Sequence, residues 1–350
     1  MHITTKLMKP QSVRIAGFGH TDLSDDEQFS EVTQRQFIEK YLSDKGRTCL
    51  LGHEAPYAEE EIQNKLDKCK KAGLGNRQFF KGSVMEMAVI AAKKCLKNAG
   101  VDASKITKIV AGTNTGPGYP SLADHIAHGL QPLLGKILFE TSDITEACTS
   151  GSRAISTAWD AIRSGRHEKA LVVLSEKATT LAQTDDWIAS NLFGDAAGAI
   201  LLEAGPEESF IFFKESGDAS GKNLDAIFRN PDLYFQQENE ATHRFVSQRI
   251  PEYLKSALEE AGLPSFEINH IIPHQPSGRS LDWFERAVRK MWPDFAGMIH
   301  RDCNIGNTSS ASTPVLLSKL HQRNTFRKGD VILVVTFGAG LSWGFYAFTY

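Results

Sequence analysis

Residues 146–151 read EACTSG and place Cys148 between an apolar segment at 137–139 and a helical pattern at 151–165. Apolar residues recur at helical spacing in that pattern, so Cys148 lies at or just before a helix N-terminus. The unpaired N–H groups and the positive end of the helix dipole favour a thiolate there. Cys148 is therefore a candidate nucleophile, although free cysteine is also common as a small buried residue.

The composition is that of a soluble globular protein. The chain has 350 residues, of which 41% are hydrophobic and 23% charged, and this fits one large domain or two fused ones. A formal net charge of −3 gives no overall electrostatic reason to expect nucleic acid or an anionic membrane as a partner. No apolar run approaches a membrane span, and the N-terminus lacks the apolar core of a signal peptide.

The cysteines indicate a reducing compartment. None of them belongs to a Cys-x-x-Cys pair, so neither a zinc site nor a disulfide framework is predicted. An odd number without a secretory signal leads us to expect a cytoplasmic protein. The five are Cys49, Cys69, Cys95, Cys148 and Cys303.

The first half of the chain alternates predicted strands and helices, which is the rhythm of a layered α/β protein. Residues 83–99 are predicted to be helical, because Ser83 and Glu86 have the spacing of a capping box. Residues 21–61 are polar, and we interpret them as a family-specific excursion with a helix near 32–41. The other predicted elements are a strand at 13–20, a basic helix at 65–80, strands at 106–113 and 169–175, and a turn at 193–198 leading into a strand.

The second half repeats this pattern. Ala261-Gly262 ends a predicted helix before a strand, as Ala99-Gly100 does in the first half, which suggests internal duplication. The predicted elements are helices at 243–261, 281–291 and 312–321, and strands at 268–272, 331–336 and 345–350.

Two histidines on a predicted helix have a spacing that could hold a metal ion. His125 and His128 are three residues apart, with Asp124 beside them. A structural zinc site needs four ligands, and no third and fourth are evident nearby. We therefore interpret them as surface or interface residues and expect no metal site.

Four short motifs follow one another along the chain. They are Ala147-Cys148, His274-Gln275, Gly306-Asn307-Thr308-Ser309 and Phe337-Gly338-Ala339-Gly340. In their order and spacing the chain resembles thiolase-fold condensing enzymes, above all β-ketoacyl-ACP synthase III, over about residues 73–350, including the turn at 193–199. The resemblance implies an α/β protein with a thiolase-like fold. Two duplicated βαβ halves, residues 1–203 and 204–350, would form a layered α/β/α/β/α core.

The resemblance also implies roles for particular residues. Cys148 would attack an acyl thioester and hold the acyl group, which divides one difficult transfer into two easier steps. His274 and Asn307 would donate hydrogen bonds to the second substrate's thioester carbonyl and stabilise the enolate that forms as carbon dioxide leaves. The backbone N–H groups of Cys148 and Ala339 would form the oxyanion hole. Taken singly, His274 and Asn307 also have ordinary structural interpretations.

One departure from the family pattern lies at the predicted oxyanion hole. The family usually has glycine where Ala339 stands. The donor is a backbone N–H group, which alanine keeps, so the departure is mild unless the position needs a positive φ.

Further departures cluster at the predicted mouth of the substrate tunnel. Arg279 follows His274 at the interval where the family often has an arginine for phosphopantetheine or CoA, although a solvated helix residue fits equally well. Ser277 replaces a common asparagine. The family's entrance tryptophan is absent, with Asp67 near its place, and Lys71 supplies a basic residue. We interpret these changes as a different donor or partner rather than lost activity.

The leading hypothesis is a homodimeric enzyme that loads an acyl group on Cys148 and condenses it with a malonyl-type thioester, in specialised lipid or polyketide biosynthesis. The expected substrates are CoA or acyl carrier protein thioesters, without a permanently bound cofactor. Acyl transfer to an alcohol or amine is an alternative, and so is a non-catalytic subunit of a ketosynthase heterodimer. Head-to-head condensation of two acyl chains is a third, although Tyr119 stands where that branch has a glutamate.

Overall fold

Two five-stranded mixed sheets lie at the centre of the protein. The structure is a computed structural model and describes residues 10–44, 59–135, 138–182 and 191–350; Cys49 and part of the 21–61 excursion lie outside these ranges. The strands are β1 (Ser12–His20), β2 (Phe29–Val32), β3 (Arg77–Phe80), β4 (Lys108–Gly112), β5 (Glu140–Ile144), β6 (Lys169–Lys177), β7 (Asp195–Gly205), β8 (Phe210–Gly217), β9 (Ile227–Arg229), β10 (Phe235–Gln237), β11 (Ile268–Pro273), β12 (Met298–Ile299), β13 (Val331–Gly338) and β14 (Ser342–Thr349).

The two sheets repeat one pattern. The first has the order β5-β4-β6-β7-β1, and the second has the order β12-β11-β13-β14-β8. In each sheet, the first three strands are parallel to one another. The fourth strand pairs antiparallel with the third, and the fifth pairs antiparallel with the fourth. This repeat confirms the predicted fold of two duplicated α/β halves. The division between residues 203 and 204 stays a prediction, and it falls inside β7, which ends at Gly205.

Helices cover both outer faces of the sheets and fill the space between them. In the described residues they are α1 (Gln34–Asp44), α2 (Glu59–Ala72), α3 (Val84–Ala99), α4 (Leu122–Leu134), α5 (Ser150–Arg163), α6 (Gly221–Leu224), α7 (Asn239–Arg244), α8 (Ile250–Ala261), α9 (Gly278–Met291) and α10 (Ser312–Gln322). α3 and α4 pack on the first sheet, and α8 and α9 pack on the second. α5 and α10 share the central layer, so the order of layers is α/β/α/β/α.

The central layer explains the apolar character of the strands that touch it. Ala158 of α5 and Leu317 of α10 are fully buried, in one cluster with Val172 of the first sheet and Val334 of the second. Because β6 is covered on both faces, its sequence is continuously apolar rather than alternating. Packing of α5 and α10 between the two sheets fixes the positions of the turns that precede these helices.

Several predicted elements are confirmed at their ends. Ser83 and Glu86 form the predicted capping box at the start of α3. Gly100 ends that helix in the left-handed conformation, with φ 61°, and Gly262 ends α8 in the same way, with φ 64°.

Other predicted elements need correction. The basic helix predicted for 65–80 ends at Ala72, and residues 77–80 form β3, which pairs with β2. The cause is burial, because the Phe80 ring lies 4.3 Å from the Phe29 ring in the core beneath α3. The helix predicted for 243–261 consists of the end of α7, a π-helical turn at 245–249, and α8. The strand β8 was not predicted.

Two further features concern metals and membranes. α4 carries His125, which is half-buried, and His128, which is exposed. Among the residues that the structure describes, no group of three His, Cys, Asp or Glu side chains is arranged to hold a metal ion. In the same ranges, no helix combines the length and apolarity needed to cross a bilayer.

Candidate active site

Cys148 lies where β5 gives way to α5. It belongs to a short 3-10 turn, Ala147–Thr149, and Ala147 adopts a positive φ of 49°. The backbone of Gly338 approaches it closely, since a Cβ added at Gly338 would lie 3.0 Å from the Cys148 Cβ and 3.1 Å from its backbone nitrogen. A side chain at Gly338 would therefore force a small shift of the Cys148 backbone. The sequence correctly placed Cys148 just before a helix.

The environment of Cys148 differs from the expected one. The residue keeps partial exposure to a cavity, so it is not a buried filler residue. However, burial of the sulfur raises the pKa of the Cys148 thiol to about 12, against a hydrogen bond from Ser309 and with the added repulsion of Glu176. Burial of the sulfur therefore opposes the thiolate that the helix N-terminus favours.

His274 follows β11 and is buried at the inner end of the cavity. Its backbone N–H donates to the Val335 carbonyl at 2.7 Å, and its ring packs edge-on against Phe337 with centroids 5.4 Å apart. Nδ1 of His274 lies 2.7 Å from the Ser312 hydroxyl. Burial lowers the pKa of His274 to about 3, so the imidazole is neutral near neutral pH and can supply one N–H donor.

Asn307 has a fixed side-chain orientation. Its Oδ1 accepts the backbone N–H of Ser309 at 2.9 Å, which leaves the amide N–H groups for another acceptor. Its backbone is held between two neighbours, since Asn307 N–H donates to the Leu192 carbonyl at 2.8 Å and Gly194 N–H donates to the Asn307 carbonyl at 3.1 Å. Asn307 is buried and lines the same cavity as Cys148.

Two glycines allow the Asn307 loop to lie against the turn before β7. Gly306 has a φ of 78°, and a Cβ there would lie 2.8 Å from the Gly194 nitrogen. A Cβ at Gly194 would lie 1.8 Å from the Ile305 carbonyl oxygen. Phe193 and Gly194, just before β7, therefore support the loop that carries Asn307, whereas residues 195–198 of the predicted turn already belong to β7.

Ala339 follows β13 in the turn that brings Gly338 against Cys148. Gly340 has a φ of 124°, whereas Ala339 is not among the residues with a positive φ. Alanine therefore fits this position without backbone strain. The departure from glycine at Ala339 has no conformational consequence.

A single cavity brings these groups together. It has a volume of about 740 Å³ and a mainly apolar lining. Cys148, His274, Asn307 and Ala339 all line it. Such a volume suits an acyl chain and a thioester arm.

The cavity mouth contains one of the two predicted entrance residues. Arg279 is exposed in the first turn of α9 and lines the cavity, with its guanidinium 5.1 Å from the centre of the Trp283 ring. Ser277 caps α9 by accepting the Ser280 N–H at 3.2 Å, a role that explains a small hydroxyl residue at this position. Lys71 is exposed at the end of α2 and does not line the cavity.

The segments that carry Lys71 and Arg279 are nevertheless in contact. The Gly278 N–H donates to the Gly73 carbonyl at 2.9 Å. A Cβ at Gly73 would lie 2.6 Å from the Arg279 nitrogen. The end of α2 therefore packs on the start of α9, which brings both predicted basic residues to one side of the protein.

Some cavity residues were missed from the sequence. The ribbon of β9 and β10 and the helix α7 line the cavity, although residues 217–239 read as loose and polar. Asn114 and Ser309 also line it, and Asn114 contacts the buried Glu176. Glu176 could have been found from the sequence, because it is a charged residue near the end of the otherwise apolar strand β6.

Comparison with protein families matches two segments of the chain. Residues 142–220 match the family model described as 3-oxoacyl-[acyl-carrier-protein (ACP)] synthase III, and residues 258–350 match the model of its C-terminal part. The first segment includes Cys148, and the second includes His274 and Asn307.

A curated relative decides the family. The β-ketoacyl-[acyl-carrier-protein] synthase III of Actinobacillus pleuropneumoniae is 31% identical over 268 residues, which cover 75% of this chain and 83% of the relative. The chain belongs to the β-ketoacyl-ACP synthase III family. It is therefore a condensing enzyme of the synthase III type, and the resemblance seen in the sequence is confirmed.

Solved structures of β-ketoacyl-ACP synthase III enzymes share this fold. The enzyme from Aquifex aeolicus superposes with a TM-score of 0.80 at 23% identity, covering 97% of this chain and all of the other. The priming β-ketosynthase of the R1128 polyketide biosynthetic pathway superposes equally well, with a TM-score of 0.80 at 25% identity, covering 99% of this chain and 98% of the other. The thiolase-like fold is thus shown over nearly the whole chain.

Proposed function

We propose that Cys148 is the nucleophile that accepts an acyl group from a thioester. The Cys148 sulfur attacks the donor carbonyl, the carbon–sulfur bond of the donor breaks, and the departing thiol takes the proton that Cys148 gives up. The partial exposure of Cys148 to the cavity supports this role, because the donor carbonyl needs access to the sulfur. The backbone N–H groups of Cys148 and Ala339 stabilise the negative charge that develops on the carbonyl oxygen.

His274 and Asn307 then act on the second substrate, a malonyl-type thioester. Their N–H donors bind its thioester carbonyl while carbon dioxide leaves and an enolate forms. The enolate carbon attacks the acyl carbonyl on Cys148, a carbon–carbon bond forms, and the Cys148 thiolate departs. A neutral His274 suits this step, because it can donate a hydrogen bond without giving up a proton completely.

The observation that carries this proposal is the orientation of Asn307. Its Oδ1 is occupied by the Ser309 N–H at 2.9 Å, so the side chain can present only N–H donors to the cavity. An enolate oxygen needs donors. Acyl transfer to an alcohol or amine, the second candidate, has no need for Asn307.

We propose that the substrates are CoA or acyl carrier protein thioesters, without a permanently bound cofactor. The names of the relatives specify acyl carrier protein as their partner. Arg279 at the mouth, with Lys71 on the neighbouring segment, suits the phosphate groups that both kinds of arm carry. We infer a specialised lipid or polyketide pathway, because the departures from the family pattern lie at this mouth.

We also propose that the protein acts as a homodimer in the cytoplasm. β5 is an edge strand of the first sheet, and Leu138, just before it, exposes 81% of its surface. Tyr119, in a loop near the same edge, is fully exposed. Exposed apolar side chains beside an open sheet edge support pairing with a second copy.

Product analysis tests the condensation. The purified protein, an acyl thioester and a malonyl thioester are expected to release carbon dioxide and give a β-ketoacyl thioester. An ester or amide formed with an added alcohol or amine would support the transferase alternative instead. A ketone from two acyl donors, formed without the malonyl substrate, would support head-to-head condensation. The absence of any product with a folded protein would favour the non-catalytic subunit.

A further inference from the structure

The hydroxyl of Ser309 lies beside the sulfur of Cys148. The two atoms, Ser309 Oγ and Cys148 Sγ, are 3.7 Å apart, within hydrogen-bond distance for sulfur. Ser309 begins the 3-10 turn before α10 and has a φ of 47°, close to the value of 49° at Ala147, which begins the turn before α5. The two turns of the duplicated halves thus meet at the sulfur.

Asn114 determines which way the Ser309 hydroxyl points. Nδ2 of Asn114 lies 2.8 Å from Glu176 Oε1 and 3.2 Å from Ser309 Oγ. An ionised carboxylate can only accept, so it faces the amide N–H₂ group rather than the amide oxygen. The second amide hydrogen therefore goes to the Ser309 oxygen, and the Ser309 hydroxyl hydrogen is left for Cys148.

Glu176 is held in place as the acceptor of the Asn114 amide hydrogen bond. It is fully buried and lies among donors: the backbone N–H of Asn114 at 3.0 Å, the Thr115 hydroxyl at 3.0 Å and the Ser310 hydroxyl at 2.5 Å. Burial raises the pKa of Glu176, while these hydrogen bonds oppose the rise by favouring the carboxylate. These hydrogen bonds offset the cost of burying the carboxylate and fix its orientation.

We propose that Ser309 is a further catalytic residue, oriented by Asn114 and Glu176 so that its hydroxyl donates to the Cys148 sulfur. Asn114 and Glu176 are positioning residues, because they act through Ser309. The inference rests on the proposed nucleophilic role of Cys148. When Cys148 loses its proton, the Ser309 hydroxyl donates a hydrogen bond to the thiolate, whose charge burial of the sulfur disfavours.

The Ser309 hydrogen bond opposes the effect of burial on the Cys148 thiol. Burial and the charge of Glu176 both disfavour the Cys148 thiolate, whereas the Ser309 hydrogen bond and, to a smaller extent, the backbone N–H of Cys148 favour it. The backbone N–H of Ser309 also orients Asn307. One residue therefore touches both the group that carries the acyl chain and the group that binds the second substrate.

The test is the pH dependence of alkylation at Cys148, followed by peptide mass spectrometry so that the other cysteines do not interfere. Ser309→Ala and Ser309→Gly both remove the hydroxyl, and glycine also suits the positive φ if alanine impairs folding. Each is expected to raise the apparent pKa of Cys148 by about one unit, which slows alkylation about tenfold below that pKa. Asn114→Ala is expected to shift the profile in the same direction.

Ser156→Ala is the matched control, since Ser156 lies on α5 and its hydroxyl bonds to the Arg153 carbonyl and to Glu215 of β8 rather than to the sulfur. Its profile should equal that of the parent protein. An unchanged profile in the Ser309 variants, or in Asn114→Ala, would overturn the inference. Alkylation needs no acyl donor, so a failure of the proposed condensation leaves this result readable on its own.

Discussion

The backbone N–H of Ser309 donates to Oδ1 of Asn307 at 2.9 Å. This bond fixes which end of the Asn307 amide faces the cavity. The N–H donors of Asn307 are thereby prepared before any substrate arrives, and a donor that needs no reorganisation is worth more to a developing oxyanion than one that must turn.

Replacing Asn307 with aspartate should separate the two half-reactions. Asn307→Asp keeps the shape and the oxygen that accepts from Ser309 but removes the N–H donors. We expect acylation of Cys148 to persist and condensation to fall by about 10²–10³-fold. Acyl-enzyme formation by mass spectrometry and product formation by chromatography measure the two steps. Equal loss in both steps would contradict the assigned role of Asn307.

Adding a methyl group at Gly338 should disturb Cys148. The new Cβ in Gly338→Ala would lie 3.0 Å from the Cys148 Cβ, so one backbone must move. We expect the free energy of unfolding to fall by about 1–3 kcal/mol and acylation to slow. Gly217→Ala is the control, because its Cβ would meet no atom closer than 3.5 Å. Thermal unfolding and acylation rates of both variants check the prediction, and equal behaviour of the two would refute it.

Burial of a neutral His274 predicts a loss of stability in acid. Its folded-state pKa of about 3 lies below the ordinary value of 6.5, so the unfolded chain binds this proton more readily. The contribution of neutral His274 to the free energy of unfolding is fully present above about pH 6.5. It falls by about 1.4 kcal/mol per pH unit as the pH drops towards the folded-state pKa. His20 and His300, each with a pKa lowered to about 4 mainly by burial, add to the trend.

Urea unfolding between about pH 6.5 and 4.5 measures this slope. His274→Gln should flatten it by the share of one proton. Identical slopes in the parent and His274→Gln would show that His274 is protonated in the folded state.

The entrance proposal predicts an effect on substrate binding. Arg279→Ala should raise the KM for the CoA or carrier-protein thioester about tenfold with little change in kcat, because its charge contacts the arm and not the reacting atoms. Arg286→Ala is the control on the same helix, as its guanidinium bonds to the Asp282 carbonyl at 3.0 Å. Steady-state kinetics of both variants give the comparison. A fall in kcat alone for Arg279→Ala would argue against an entrance role.

The sequence predicted which residues form the candidate site better than it predicted their pKa values. The four motifs placed Cys148, His274, Asn307 and Ala339, since the strand ends and helix starts that carry them have clear local signals. The raised pKa of Cys148 was not predictable, because it arises from burial by segments distant in sequence. The helix propensity of 65–80 was overridden at residues 77–80 in the same way, by packing of Phe80.

The ribbon over the cavity shows a second limit. β9 and β10 are three residues each, and the segment 217–239 that contains them is rich in turn formers and polar residues. Such short strands carry no measurable period, so their position follows only from contacts such as the Phe193–Phe235 ring pair at 5.1 Å. The residues of the ribbon that lines the cavity were therefore hidden, while the candidate catalytic residues were visible.

The most direct test of the account is the intact mass of the protein after exposure to acyl-CoA and acyl-carrier-protein donors. The account predicts the added mass of one acyl group, located at Cys148 by peptide mapping and absent in Cys148→Ala. A folded protein that gains no acyl group from any donor, or gains it equally in Cys148→Ala, would contradict the central claim.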